Sequence, residues 1–148
     1  MKIHLATDHA GLKLKNIIKD ILIEKKYDVT DHGAYEYVAL DDYPDFIFPC
    51  ANAVSGDVQS RGIILGGSGQ GEAMAANRVK GCRAAVFYNG PIEILKLSRE
   101  HNNANILSLG ARFMTQDEII EIIQIWLKEP FAGGRHIKRI EKLDLLHD

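Results

Sequence analysis

"GIILGGSGQGEAMAANR", residues 62–78, sets an apolar run, a glycine-rich turn and a helical pattern one after another. Gly62 to Leu65 reads as a buried strand. Gly66, Gly67, Ser68, Gly69 and Gly71 make a turn, and the residues up to about Arg78 make a helix. A strand that hands a glycine turn to a helix is half of a βαβ unit, so this stretch predicts a parallel sheet. The turn also gathers backbone N–H groups near a helix N-terminus, a fixed positive potential suited to an anion. Gly66 and Gly71 have the spacing of a P-loop, yet Glu72 stands where a P-loop places its lysine. The dinucleotide fingerprint G-x-G-x-x-G fails at the same residue, because counting from Gly67 and Gly69 its third glycine falls on Glu72.

The pattern repeats outward in both directions. Lys2 to Thr7 reads as a strand, and Leu14, Ile17, Ile18, Ile21 and Leu22 form the apolar stripe of the helix that follows. Tyr27 to Asp31 reads as a second strand. Asp42-Tyr43-Pro44 can open a helix, with proline in the first turn where its missing N–H costs nothing. Beyond the glycine loop, Arg83 to Phe87 is a strand, Pro91 opens a helix to about His101, and Ile106 to Leu109 is the fifth strand. Thr115 and Glu118 form a capping box before the stripe Ile119, Ile122, Ile123, Trp126 and Leu127. A final helix covers the basic segment Arg135-His136-Ile137-Lys138-Arg139-Ile140. The expected architecture is a single α/β domain over residues 1–148. It is a three-layer α/β/α sandwich with a Rossmann-like five-stranded parallel sheet and a C-terminal helix.

The bulk numbers narrow the function. Hydrophobic residues make up 46% of the 148 positions, charged residues 26%, and the formal net charge is −2. These are the values of an ordinary globular domain, without the basic stripe of a nucleic-acid binder or a membrane surface. Met1 to Asp8 is too short an apolar stretch for a signal peptide and no run approaches a membrane span, so the expected compartment is the cytoplasm. Cys50 and Cys82 form no C-x-x-C pair and read as small buried hydrophobes. The histidines form no H-E-x-x-H or other close ligand set, so no metal is expected.

Three turns leave the carboxyl ends of strands, where open parallel sheets bind ligands: Asp8-His9-Ala10-Gly11, Gly66 to Glu72, and Gly110-Ala111-Arg112. In the glycine turn, a carboxylate beside a nest of N–H donors suits removal of a proton from carbon, with the N–H groups holding the enolate. The alternative is that Glu72 complements the helix dipole, worth roughly 0.3–1 kcal/mol. Asp8-His9 is a titratable pair at a strand end. His101 and Asn102 close a helix, where a histidine can also simply cap carbonyls. Arg135 and Arg139 are four apart and share a helix face, so with Arg112 they can bind a phosphate dianion or remain a solvated surface.

Several of these segments together match one family: Ala6-Thr7-Asp8-His9-Ala10-Gly11, Asp42-Tyr43-Pro44, Gly66-Gly67-Ser68-Gly69-Gln70-Gly71-Glu72, Ala75-Ala76-Asn77-Arg78, Leu97-Ser98-Arg99-Glu100-His101-Asn102 and Gly133-Gly134-Arg135-His136. The chain resembles the type B ribose-5-phosphate isomerases, in the wider family with galactose-6-phosphate and allose-6-phosphate isomerases, over essentially its whole length. The resemblance implies an aldose–ketose isomerisation through a cis-enediolate, without metal or cofactor, acting on a small sugar phosphate. It also implies a homodimer whose active sites draw on both subunits, with a dimer of dimers as the alternative assembly.

Carried over by position, Ser68 moves protons between O1 and O2, and the amides around Gly67, Gly69 and Gly71 stabilise the enediolate. Asp8 orients sugar hydroxyls and Tyr43 lines the pocket. His101 opens the furanose ring with Asn102 beside it, while His9, Arg112, Arg135 and Arg139 hold the phosphate. Many members place a cysteine base directly after the third strand, where this chain has Gly66. The chain resembles the subgroup that uses a glutamate at position 72. The open alternatives are another aldose phosphate (allose 6-phosphate, galactose 6-phosphate or erythrulose 4-phosphate) and a non-catalytic phosphate- or nucleotide-sensing module.

Overall fold

The computed structural model describes residues 1–147. Five strands, β1 (Lys2–Thr7), β2 (Asp28–Asp31), β3 (Arg61–Gly66), β4 (Ala84–Phe87) and β5 (Ile106–Gly110), form one sheet in the order β2-β1-β3-β5-β4, and every neighbouring pair is parallel. β1, β3 and β5 are buried along nearly their whole lengths. They are rich in Ile and Leu, and even His4 and Ser108 within them are buried, because both faces are covered.

Each face has its own core. On one side, Ile18 and Leu22 of α1 (Leu12–Glu24) pack with Ile3, Leu5, Ile63, Leu65, Leu107 and Leu109 of the sheet. Leu95 of α4 (Ile92–Glu100) and Ile119, Ile122, Ile123, Trp126 and Leu127 of α5 (Gln116–Lys128) complete that layer. On the other side, Ile47, Cys50, Ala51 and Val54 of α2 (Pro44–Ser55) meet Ala75 and Ala76 of α3 (Gln70–Ala76) over Ala6, Ile64 and Ile106. Burying one Ile or Leu side chain in such a layer is worth roughly 1.5–3 kcal/mol. The three-layer sandwich expected from the sequence is therefore what forms, and α6 (Arg135–Glu141) is the C-terminal helix.

Boundaries move where local hydrogen bonds intervene. α3 stops at Ala76, short of Arg78, because the Asn77 side chain pairs with the backbone of Ala84 in both directions, at 2.7 and 3.0 Å. At α5, Thr115 accepts a hydrogen bond from the Glu118 N–H at 3.2 Å, as its cap requires. Cys50 and Cys82 are buried free thiols.

α1 contains one residue that its polarity would not place inside. Lys15 is fully buried, and its ammonium donates to Asp31 at 2.7 Å and to the Ala34 carbonyl. Burial pushes the Asp31 carboxyl up, but the hydrogen bonds from Lys15 and the Gly33 N–H, with the charges of Lys15 and Lys19, outweigh it and hold Asp31 below its ordinary value. The pair ties the start of the β2–α2 loop to α1. Thr7 and Ala34 tie it to β1, through Thr7 N–H to the Gly33 carbonyl at 2.8 Å and Ala34 N–H to the Thr7 carbonyl at 2.7 Å.

The topology fixes where a ligand binds. β1 pairs with β2 on one side and β3 on the other, so chain order reverses between β1 and β3, and a crevice opens beyond their carboxyl ends. Asp8 follows β1 and Gly66 ends β3 at that point.

Candidate active site

Gly69 supports the glycine turn. Its φ of 80° lies in the left-handed region, it caps α3, and a Cβ there would meet the Leu109 backbone and the Ser108 hydroxyl at 3.0 Å. Ser108 Oγ donates to the Gly69 carbonyl at 2.6 Å, which fastens the turn to β5. Ser68 is half-buried, and its hydroxyl accepts from the Gln70 N–H at 3.2 Å.

Glu72 lies in the first turn of α3 and is 5% exposed. Its side chain folds back over the end of β3, so that a Cβ built on Gly66 would overlap its carboxylate. Burial raises the Glu72 pKa above its ordinary value; a hydrogen bond from its own backbone N–H opposes this, and the negative charge of Asp8 adds to it. A carboxylate whose pKa is raised is, in its ionised form, a stronger base toward a carbon-bound proton than an exposed one.

The other residues of this end gather round the turn. Tyr43 stands at the start of α2 with its hydroxyl end against Gly71, at 2.8 Å from a Cβ built there, and the Arg112 guanidinium lies against Gly67 at 3.2 Å from the corresponding position. Asp8 is buried, accepts from the Ala10 N–H at 2.9 Å and caps the short 3-10 turn His9–Gly11. His9 is bound through Nδ1 to Asp41, 2.6 Å away, an acidic residue that sequence reasoning passed over. The two are 32 positions apart, and nothing in Asp41-Asp42-Tyr43-Pro44 marks which carboxylate reaches back to β1. Asp8, His9 and Asp41 also offer ligand atoms within 4.8 Å of one another, the one such trio among the described residues. In this structure His9 Nδ1 and Asp41 Oδ1 are hydrogen-bonded to each other.

The remaining expected residues form a second group. His101 caps the C-terminus of α4, half-buried, and its ring stacks on His136 with centroids 4.4 Å apart and planes 17° from parallel. Asn102 beside it is exposed, as are Arg135 and Arg139 on α6. Burial lowers the His136 pKa, and the charges of His101, Arg135 and Arg139 lower it further. Arg112, Arg135 and Arg139 form no ion pair among the described residues. No hydrogen bond, ion pair or ring contact among the described residues joins His101, His136, Arg135 or Arg139 to Glu72 or Asp8. Among the described residues, those of the site thus fall into two groups, one with the Glu72 carboxylate and Arg112 at the glycine turn and the other with His101, His136, Arg135 and Arg139.

Cys82 is no alternative base. Its thiol is buried, donates to the Ala51 carbonyl at 3.2 Å, and is pushed up to about 11, mainly by burial.

Comparison with known proteins supplies chemistry for this geometry. A family described as "Ribose/Galactose Isomerase" matches residues 3–143. The ribose-5-phosphate isomerase B of Mycolicibacterium paratuberculosis is 40% identical, over 97% of this chain and 89% of its own. The ribose-5-phosphate isomerase B of Mycoplasma genitalium, solved with bound ribulose-5-phosphate, superposes with a TM-score of 0.93 at 43% identity, over 99% of this chain and 95% of that one. The corresponding enzyme of Clostridium thermocellum gives a TM-score of 0.91 at 42% identity, over 99% and 97% of the two chains.

Proposed function

The chain belongs to the ribose/galactose isomerase family and is an aldose–ketose isomerase; from that premise we propose that it interconverts D-ribose 5-phosphate and D-ribulose 5-phosphate through a cis-enediolate, with Glu72 as the carbon acid and base. The observation that carries this reading is the buried Glu72 carboxylate, seated over Gly66 at the topological switch point with a raised pKa.

His101, with Asn102 beside it, opens the furanose ring to the free aldehyde. Glu72 takes the proton from C2, the electron pair forms the C1–C2 double bond, and negative charge moves to O1. Ser68 transfers a proton from O2 to O1, and Glu72 returns its proton to C1, leaving the carbonyl at C2. The amides around Gly67, Gly69 and Gly71 stabilise the oxyanion. Such donors are worth roughly 2.7–4 kcal/mol each when the charge exists only in the transition state. Asp8 orients the sugar hydroxyls and Tyr43 closes the pocket wall. His9, Arg112, Arg135 and Arg139 bind the phosphate, which agrees with three arginines that lack a carboxylate partner among the described residues.

The working unit in this reading is a homodimer in which the basic half-site of one subunit faces the Glu72 half-site of the other. The absence of any hydrogen bond, ion pair or ring contact between the two groups among the described residues supports it.

The test is turnover on a panel of four-, five- and six-carbon aldose phosphates in the presence of EDTA. The highest kcat/KM on ribose 5-phosphate, unchanged by EDTA, is the expected result. A higher value on allose 6-phosphate or galactose 6-phosphate transfers the substrate assignment to that sugar, and loss of turnover with EDTA contradicts the metal-free mechanism.

A further inference from the structure

The turn after β1 and the loop before α2 meet at a contact that the chemistry above does not use. Asp41 Oδ1 lies 2.6 Å from His9 Nδ1 and also accepts from the His9 backbone N–H at 3.3 Å. A carboxylate oxygen accepts, so this contact is a hydrogen bond when the ring carries a proton on Nδ1. The Asp8 carboxylate stands on the same side, with Oδ2 4.0 Å from Nδ1. Tyr37 packs edge-on against the ring, with centroids 5.8 Å apart at 87°. Nε2, the other nitrogen, has no partner among the described residues, and the side chain is 24% exposed.

Asp41 is poorly suited to be a structural anchor. Its side chain is only 9% exposed, and Oδ2 is buried without a hydrogen-bond partner among the described residues. A carboxylate oxygen left in that state costs stability. The loop that carries Asp41 is held independently, by Lys15 and by the Thr7 backbone.

We propose that Asp41 is a positioning residue for recognition of the substrate's phosphate: it holds His9 with one proton on Nδ1, so that a second proton is taken at Nε2, where the doubly protonated ring donates to the phosphate dianion. This rests on the reading of His9 as a phosphate ligand. Sequestering Nδ1 leaves a single nitrogen to face the ligand, and an imidazolium paired with Asp41 on one side and phosphate on the other has charge-assisted hydrogen bonds at both ends.

The experiment compares Asp41→Asn, Asp41→Glu, His9→Asn and the Asp41→Asn/His9→Asn double variant, with kcat and KM for ribose 5-phosphate, inhibition by inorganic phosphate, and Tm. Asp41→Asn should raise KM and the inhibition constant of inorganic phosphate by the same factor, about tenfold, with kcat within about twofold and Tm not lowered. The double variant should be no weaker than His9→Asn, because the first change acts through the second residue. Asp41→Glu should recover part of the phosphate affinity.

If His9→Asn raises KM and Asp41→Asn does not, the role of Asp41 is overturned while His9 remains a phosphate ligand. If neither raises KM, the phosphate reading of His9 fails and takes the proposal with it. Additive losses, or equal impairment by Asn and Glu, also overturn it. Long-range 15N–1H NMR of the unsubstituted enzyme gives an answer that needs no variant: His9 should be protonated at Nδ1, and a ring protonated at Nε2 alone contradicts the proposal.

Discussion

The carboxylate of Glu72 fills the space that a side chain on Gly66 would occupy. Gly66 ends β3 and Glu72 lies in the first turn of α3, six positions on, and the glycine turn between them doubles the chain back so that Glu72 covers Gly66. A glycine at position 66 and a glutamate at position 72 are therefore one arrangement. In this chain the absence of a Cβ is what admits the carboxylate to the crevice.

Gly66→Ala tests that relationship. The added methyl must displace the carboxylate, and a reacting group misplaced by about 1 Å can cost on the order of 100-fold in rate. Steady-state kinetics should show a fall in kcat of that order with KM for ribose 5-phosphate changed much less. A variant with full kcat would mean that Glu72 works from another position.

The pH profile follows from the Glu72 environment. The base must be ionised to accept a proton, and burial with the nearby charge of Asp8 raises its pKa above the ordinary 4.5. The acidic limb of kcat/KM should therefore lie above that value, with activity lost as the pH falls through it. Asp8→Asn removes a like charge, so the limb should move to lower pH even as kcat/KM itself drops. An unmoved limb would separate Asp8 from the titration.

How much of this was legible in the sequence depended on range. The glycine loop, the helical stripes and the pairing of Thr115 with Glu118 are local patterns, and each appears where its spacing put it. Asp8, Ser68 and Glu72 lie at the strand ends and turns that the sequence marks, and Tyr43 at the start of α2, while the roles of Ser68 and Tyr43 come from the family resemblance. Asp41 and Lys15 were missed. Asp41 bonds to His9 across 32 positions, and Lys15, polar by type, is buried only because Asp31 arrives from β2 to meet it. Arg135 and Arg139 do share a short helix, but spacing within one chain cannot say what a helix faces.

Lys15 carries a stability prediction. Its removal in Lys15→Ala leaves the Asp31 carboxylate short of its closest partner, and breaking such a pair costs about 3–5 kcal/mol. In the intact protein the depressed Asp31 pKa contributes stability that is present above the ordinary carboxylate value and is lost as the pH falls through the folded one. Urea titrations across the acid range should show a large loss at neutral pH for the variant and a smaller additional loss on acidification. Equal stability of the two proteins at neutral pH would assign the pair no structural weight.

The proposed sharing of the site between subunits predicts complementation. Glu72→Gln and Arg135→Ala homodimers should each be impaired, the first in kcat and the second mainly in KM. A heterodimer of the two has one site with both defects and one with neither. An equal mixture after subunit exchange should recover about a quarter of unsubstituted activity at substrate concentrations too low for the arginine variant to turn over. Simple averaging of the two parents would place both half-sites in the same subunit.

The most direct test is proton exchange at carbon. In deuterated water the enzyme should introduce deuterium at C2 of ribose 5-phosphate while interconverting it with ribulose 5-phosphate. Glu72→Gln should abolish that exchange while binding of inorganic phosphate stays within a few-fold. Exchange at the full rate in Glu72→Gln would contradict the account, because the proton would then be moved by some group other than the carboxylate over Gly66.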